Sequence, residues 1–218
     1  MFKILKSQII TLNFSAMFPE HNQPSIPNSQ LDGRAIIFCA PSGSGKTTIV
    51  KHLLSIDHRL AFSVSACTRA QRANEEHGKD YYFLSHNDFK QRIANNEFLE
   101  YEEVYGGNFY GTLKTEIDRI WSLGKAVLFD VDVEGGLNIK TYFGNKALAV
   151  FVKPPSVEAL EERLRFRSTE TEETLRMRVD KAVHELVYEN KFEHVLVNNV
   201  LDEALEEAER LVNEFLKR

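Results

Sequence analysis

Nine consecutive residues, Ala40-Pro41-Ser42-Gly43-Ser44-Gly45-Lys46-Thr47-Thr48, have the composition and spacing of a loop that wraps a chain of phosphates. The chemistry is anion capture. Successive backbone N–H groups turn inward, a helix beginning at the loop adds partial positive charge, and Lys46 reaches the outer phosphates. Gly43 and Gly45 let the backbone approach the ligand, and the Thr47 hydroxyl is placed to ligate Mg²⁺. Ala40 stands where the motif usually begins with glycine, which is tolerable at negative φ.

A second set of residues could hold a second anion. Arg69 and Arg72 lie three apart in a polar loop, with Tyr81 near in sequence. Alone they read as solvated loop charges. Beside a phosphate loop they read as a grip on an acceptor phosphate, because planar guanidinium groups bind phosphate through two donors at once. Arg163, Arg167 and Arg178 form a further cluster, flanked by Arg165 and Arg176 and balanced by Glu158, Glu161, Glu162, Glu172 and Glu173. They suit either two charged helix faces or a lid that brings arginines onto the triphosphate and excludes water. Asp130 and Asp132 close an apolar run on one face of a strand. There a carboxylate can hold Mg²⁺ opposite Thr47, directly or through water, or cap the following helix.

These groups need a scaffold, and the pattern supplies one. Residues 34–39 and 126–132 read as buried parallel strands, as do 147–152 and 195–197; residues 60–65 read as a further strand. Helices are expected to follow the loop to about Ser55, over residues 113–123, from a cap at Ser156 to Arg167, over 171–187, and from a cap at Asp202 to the end. Strands alternating with helices predict an α/β fold with a parallel sheet core flanked by helices. Residues 66–112 break the alternation and read as a small α+β insertion. It holds a short strand at 79–84, a helix capped by Asn87, and a hairpin across 98–101 and 108–112.

At 218 residues the chain fits one domain with inserted parts, and a net charge of −5 argues against a nucleic-acid surface. The two cysteines, Cys39 and Cys67, have neither metal spacing nor a disulfide framework, which predicts a reducing cytoplasm. No apolar run is long enough to span a membrane. Residues 1–32 read as a flexible extension: basic and apolar to Phe14, then rich in Pro, Asn and Gln, with Met17 an alternative start.

Taken together, Ala40–Thr47, Ser63–Arg72, Gly78–Phe83, Asn96–Tyr101, Gly107–Thr112, Asp130–Gly135 and the stretch from Pro154 to Arg178 resemble the guanylate kinase family, in the family's order and over essentially the whole chain from Arg34. The resemblance implies a P-loop NTPase-type core (33–65, 113–155 and 188–218), a GMP-binding subdomain (66–112) and a helical lid (156–187). It implies ATP-dependent phosphorylation of GMP, with dGMP as a second acceptor, and with ATP and Mg²⁺ as cofactors. Carried over by position, Arg69, Arg72, Tyr81 and Tyr110 hold the GMP phosphate. Ser65, Glu100 and Thr112 read guanine, with Asp132 near. Lys46 and the lid arginines Arg163, Arg167 and Arg178 act on the transferred group together with Arg69, and Asn198 lies by the adenine. Assembly as a homodimer is left open.

Guanine offers adjacent N1–H and N2–H₂ donors, and a carboxylate such as Glu100, within a pocket shielded by Tyr101 and Tyr110, accepts from both. Adenine has no such pair and would leave the carboxylate unmatched. The chain departs from the family at several positions. Asn74 stands for a glycine and suits positive φ, Cys67 for a threonine, Ser168 for a lid glycine and Asn199 for an aspartate. One extra residue falls between Val104 and Asn108. The competing readings are a phosphopeptide-binding module of the same fold, which usually lacks the phosphate loop, and a kinase for another phosphorylated acceptor.

Overall fold

The structure, a computed structural model, describes residues 33–104, 107–167 and 172–218. The expectations for residues 1–32, for the inserted residue near Gly106 and for Ser168 lie outside them, as does the side chain of Arg167.

Five strands form the central sheet: β1 (Ala35–Cys39), β2 (Leu60–Phe62), β7 (Ala126–Val131), β8 (Ala147–Lys153) and β9 (His194–Val197), in the order β2-β7-β1-β8-β9. Every pairing is parallel. The core is split by the alternation of side chains along these strands. Ile36, Phe38, Leu128 and Val150 face α1 (Lys46–Ile56) and α7 (Leu201–Lys217), meeting Ile49, Leu53, Ala208 and Leu211. Ile37, Cys39, Phe129 and Phe151 face the opposite way, onto Ile117 and Ile120 of α3 (Lys114–Ser122) and Ile139 and Phe143 of α4 (Val133–Phe143). Strands covered on both faces explain why β1, β7 and β8 are near-continuous apolar runs.

Between β2 and α3 the chain builds a second sheet from β3 (Ala66–Cys67), β4 (Tyr82–Phe83), β5 (Phe98–Val104) and β6 (Asn108–Leu113), in the order β4-β3-β6-β5. Helix α2 (His86–Ala94) covers it, with Phe89 stacked on Phe98 at 4.2 Å and on Phe109 at 5.5 Å between ring centroids. Helices α5 (Val157–Arg167) and α6 (Glu172–Leu186) pack together through a small apolar cluster of their own, Leu160, Leu164, Leu175 and Ala182.

Several local expectations are corrected. The strand read over 60–65 ends at Phe62, because residues 63–65 carry the chain out of the core sheet toward the second one. Helix α2 is capped by Ser85, whose hydroxyl accepts from the Asp88 N–H at 3.0 Å, so Asn87 lies inside the first turn. Helix α7 starts after Val200 with no side-chain cap. Asp202 sits instead in its first turn, where a carboxylate still favours the helix dipole. Among the described residues Asn96, not Asn74, is the non-glycine with positive φ, at 56°, in the turn from α2 into β5.

Candidate active site

The phosphate loop joins the carboxyl end of β1 to α1. Gly45 occupies the N-cap with φ 89° and no side-chain cap, and the first turn of α1 carries no acidic residue. A helix start so stripped of internal partners leaves its N–H groups and positive end for an external anion. Glycine is required there: a Cβ on Gly45 would collide with Asn198 Nδ2, which donates to the Ser44 carbonyl at 2.8 Å and braces the loop from behind. Residues Ala40 to Thr47 line a cavity of about 600 Å³ above the loop, while Thr48 is exposed and faces away from it. Buried Ser44 Oγ has no hydrogen-bond partner.

Lys46 Nζ lies 2.6 Å from Asp130 Oδ1 and also bonds the Val131 carbonyl, at the end of β7. Thr47 Oγ1 donates to the other oxygen, Asp130 Oδ2, at 2.8 Å. The expectation that Asp132 closes the same strand is corrected. β7 ends at Val131, and Asp132 is the N-cap of α4, accepting from the Gly135 N–H at 2.9 Å. Both aspartates nevertheless line the site.

A second cavity, of about 420 Å³, opens between the two sheets, and Lys46, Thr47, Asp130, Asp132 and Lys181 are common to its wall and that of the first. Two ligands seated there would meet over these five residues. Ser65, Tyr81, Glu100 and Tyr110 line the far side. Glu100 and Thr112 face each other across the β5–β6 hairpin, and the Thr112 hydroxyl donates to Glu100 Oε1 at 2.8 Å. Burial pushes the Glu100 carboxyl up to about 7; the Thr112 bond opposes this and the neighbouring Asp132 adds to it. Tyr101 does not shield this pocket. It follows Glu100 on a strand, points to the other face beside Phe98 and is largely exposed.

Arg69 lies over the Tyr81 ring, 4.7 Å from its centroid, and is gripped through both Nη atoms by Glu75, each at 2.6 Å. That pairing holds Glu75 down at about 2. Arg72 is mostly exposed and reaches the rim of the phosphate-loop cavity. Glu75 was not singled out in the sequence, although a carboxylate six residues from Arg69 in a tight loop is the available signal.

Two further residues escaped notice. Glu102, two along the same strand from Glu100, shares its face and lines the same cavity; burial first, and the Asp132 carboxylate next, push it to about 8. Lys181, one turn after Arg178 on α6, lies 3.7 Å from Asp132 Oδ2 and 3.4 Å from Glu185 Oε1. Strand period two and helix period three to four were the signals that could have found them.

Of the arginines on α5 and α6, Arg178 donates to Ser42 Oγ in the phosphate loop at 3.0 Å, and Arg163 donates to the Asn198 carbonyl at 3.1 Å. The other Arg163 terminal nitrogen, Nη1, is buried without a hydrogen-bond partner. Two helices thus carry guanidinium groups to the loop, and α6 also places Lys181 in the wall of both cavities.

A phosphate loop at the end of β1, a strand-borne aspartate beside its threonine, and a second cavity sharing that wall define a P-loop phosphotransferase with two adjoining substrate sites. Comparison with known proteins narrows the class. The family model described as guanylate kinase matches residues 32–215. The guanylate kinase of Bacteroides fragilis is 50% identical over 190 residues, covering 87% of this chain and 93% of that protein. That of Porphyromonas gingivalis is 46% identical over 186 residues, covering 85% and 99%. The crystal structure of guanylate kinase from Anaplasma phagocytophilum superposes with a TM-score of 0.69 at 26% identity, covering 86% of this chain and 88% of that one. The chain belongs to the guanylate kinase family.

Proposed function

We infer that this protein is an enzyme that transfers the terminal phosphoryl group of ATP to GMP. The observation that carries the choice of acceptor is Glu100: a buried carboxylate held by Thr112 in a cavity that shares its wall with the phosphate loop. An acceptor-only group at that position matches the two adjacent donors of guanine. The intact phosphate loop, with Lys46 and the arginines of α5 and α6, speaks against a purely peptide-binding module.

The division of labour follows from charge. Both substrates bring phosphates, and the acceptor oxygen is already anionic, so the protein needs no general base. Its task is to align two anions and neutralise charge on the group in flight. Residues 40–47 would cradle the ATP phosphates, Lys46 would follow the transferred group, and Asn198, behind the loop, would border the adenine. Arg69, Arg72, Tyr81 and Tyr110 would fix the GMP phosphate, while Ser65, Glu100, Thr112 and Asp132 would fix the base. Arg163, Arg167 and Arg178 would close from the lid, residues 156–187, opposite the GMP-binding part, residues 66–112.

The residues present also fit Mg²⁺. The Thr47 hydroxyl and Asp130 carboxylate are already in contact at 2.8 Å beside the phosphate loop, a hard-oxygen pair of the kind that binds the ion together with phosphates and water. No cluster of three or more His, Cys, Asp or Glu side chains among the described residues would make an all-protein cage, which Mg²⁺ does not ask for. When bound, the ion supplies positive charge to the phosphate oxygens.

No helix among the described residues is long and apolar enough to cross a membrane. With Cys39 and Cys67 both free and buried, we place the enzyme in the cytoplasm. The test is a coupled assay of ATP consumption with GMP, dGMP, AMP, CMP and UMP. Turnover is expected with GMP and dGMP; equal or better use of AMP would overturn the acceptor assignment.

A further inference from the structure

Glu116 lies outside every group assigned above, yet it is the most enclosed carboxylate described, with its side chain 1% exposed. It stands in the first turn of α3, where the chain returns from the second sheet to the core. All of its hydrogen-bond partners are donors. The Val64 N–H reaches Oε1 at 3.0 Å, and the Tyr82 hydroxyl reaches Oε2 at 3.0 Å. Arg119, one turn on, donates Nε to Oε2 at 2.9 Å and Nη2 to Oε1 at 2.7 Å.

The placement of these donors matters more than their number. Val64 lies on the strand of chain that leaves the core after β2, and Glu116 lies just after the chain comes back; these are the two covalent crossings between core and acceptor sheet. Tyr82 belongs to β4, inside the acceptor sheet, and its own N–H donates to the Ser65 carbonyl at 2.9 Å. One carboxylate therefore pins the outgoing crossing, the returning crossing and the sheet itself. The next residue back from Tyr82 is Tyr81, on whose ring Arg69 rests at 4.7 Å. A carboxylate is the one side chain that answers four converging donors. A buried apolar residue of the same size would leave the Val64 N–H and the Tyr82 hydroxyl without partners.

We propose that Glu116 is a positioning residue which seats the acceptor sheet on the core, and thereby sets Arg69 and Tyr81 at the distance from the phosphate loop that GMP binding requires. The proposal rests on the reading of that cavity as the GMP site. It makes no claim that Glu116 touches substrate; it acts through Val64 and Tyr82.

The experiment is steady-state kinetics on the full chain carrying Glu116→Gln, Tyr82→Phe, or both, with Glu100→Gln alongside. Gln brings an N–H into a nest of donors, whereas Tyr82→Phe removes the hydroxyl that ties the acceptor sheet to Glu116 and Arg119 and spares Glu116's other bonds. In both single variants KM for GMP should rise about 5- to 20-fold, while kcat and KM for ATP stay within about threefold. The double variant should add little to either single one, since both break the same tie. KM for GMP within twofold of the parent in Tyr82→Phe would overturn the proposal, as would equal losses for GMP and ATP accompanied by a fall in Tm, the mark of a merely structural role. If Glu100→Gln raises KM for GMP in the same series, such a failure falls on Glu116 alone. If Glu100→Gln leaves it unchanged too, the cavity assignment falls with it. Should Glu116→Gln not fold, Tyr82→Phe decides.

Discussion

Replacing Glu100 with Gln should impair GMP use and stabilise the protein, and both effects should depend on pH. The Thr112 hydroxyl is donated to Oε1 at 2.8 Å, so the Gln oxygen will take that place. Its NH₂ then stands where the second carboxylate oxygen accepted a guanine donor. One charge-assisted hydrogen bond is lost and two donors face each other, a change of about 2–4 kcal/mol, or about 30- to 1,000-fold in kcat/KM for GMP. ATP affinity should stay within a few-fold. The stability effect has the opposite sign. Burial holds the Glu100 carboxyl at about 7 in the folded protein against 4.5 for an ordinary glutamate, so the folded state binds the proton more tightly than the unfolded chain. Ionising Glu100 therefore destabilises the fold. The penalty is absent below pH 4.5, grows from there, and is complete above about 7, where it reaches at most about 3 kcal/mol. Glu100→Gln removes it, so the variant's Tm should exceed the parent's at pH 8 and converge with it near pH 4. The GMP phosphate titrates near pH 6 in both assays, so the parent-to-variant ratio of kcat/KM isolates Glu100. That ratio should climb from pH 6 to pH 8. A flat ratio, or a variant less stable than the parent at pH 8, would refute the reasoning.

Lys46→Ala should abolish measurable turnover, a loss of at least about 10²- to 10³-fold, with an unchanged circular dichroism spectrum; near-parental kcat would remove Lys46 from the transfer step. Deleting residues 1–30, which precede the family match beginning at residue 32, should leave kcat and Tm nearly unchanged, and a large fall in either would give that segment a role in the folded body. Small-angle scattering should show a more compact particle with a bisubstrate analogue than without, since two anions must be drawn together from opposite sides of the loop; superimposable profiles would argue against closure.

The sheet core was legible because its strands are covered on both faces. Residues 35–39, 126–129 and 147–152 are unbroken apolar runs, and glycine and lysine punctuate the approaches to the last two. The phosphate loop was legible for a different reason: its function lies in backbone geometry that only a narrow set of residues permits. What escaped notice was decided by tertiary placement. Asn74 and Asn96 are the same residue type, and only the tight return from α2 into β5 selects Asn96 for φ 56°. Ser85 outcompetes Asn87 as a cap because the chain enters α2 two residues earlier than periodicity alone suggests. Asp132 combines two readings weighed separately in the sequence, capping α4 while lining the site. Glu75, Lys181 and Glu116 carry no motif at all. Each is a common charged residue on a polar stretch, and its role exists only where the fold brings its partners.

Those unmarked residues explain how a site built to hold two polyanions stays folded without them. Lys46 and Lys181 line one cleft and Arg69 rests on Tyr81 in its wall, and each cation is answered from within. Lys46 is held by Asp130 at 2.6 Å, Arg69 by Glu75 at 2.6 Å, and Lys181 by Glu185 at 3.4 Å and Asp132 at 3.7 Å. Arg178 meanwhile bonds Ser42 Oγ, and buried Arg163 Nη1 has no hydrogen-bond partner. On the proposed assignment, substrate phosphates would enter by exchange. A phosphate that took Lys46 would release Asp130, leaving it beside the Thr47 hydroxyl as a pair of oxygens suited to a divalent cation. Under that same assignment, one carboxylate would couple loading of the phosphate loop to loading of a metal site.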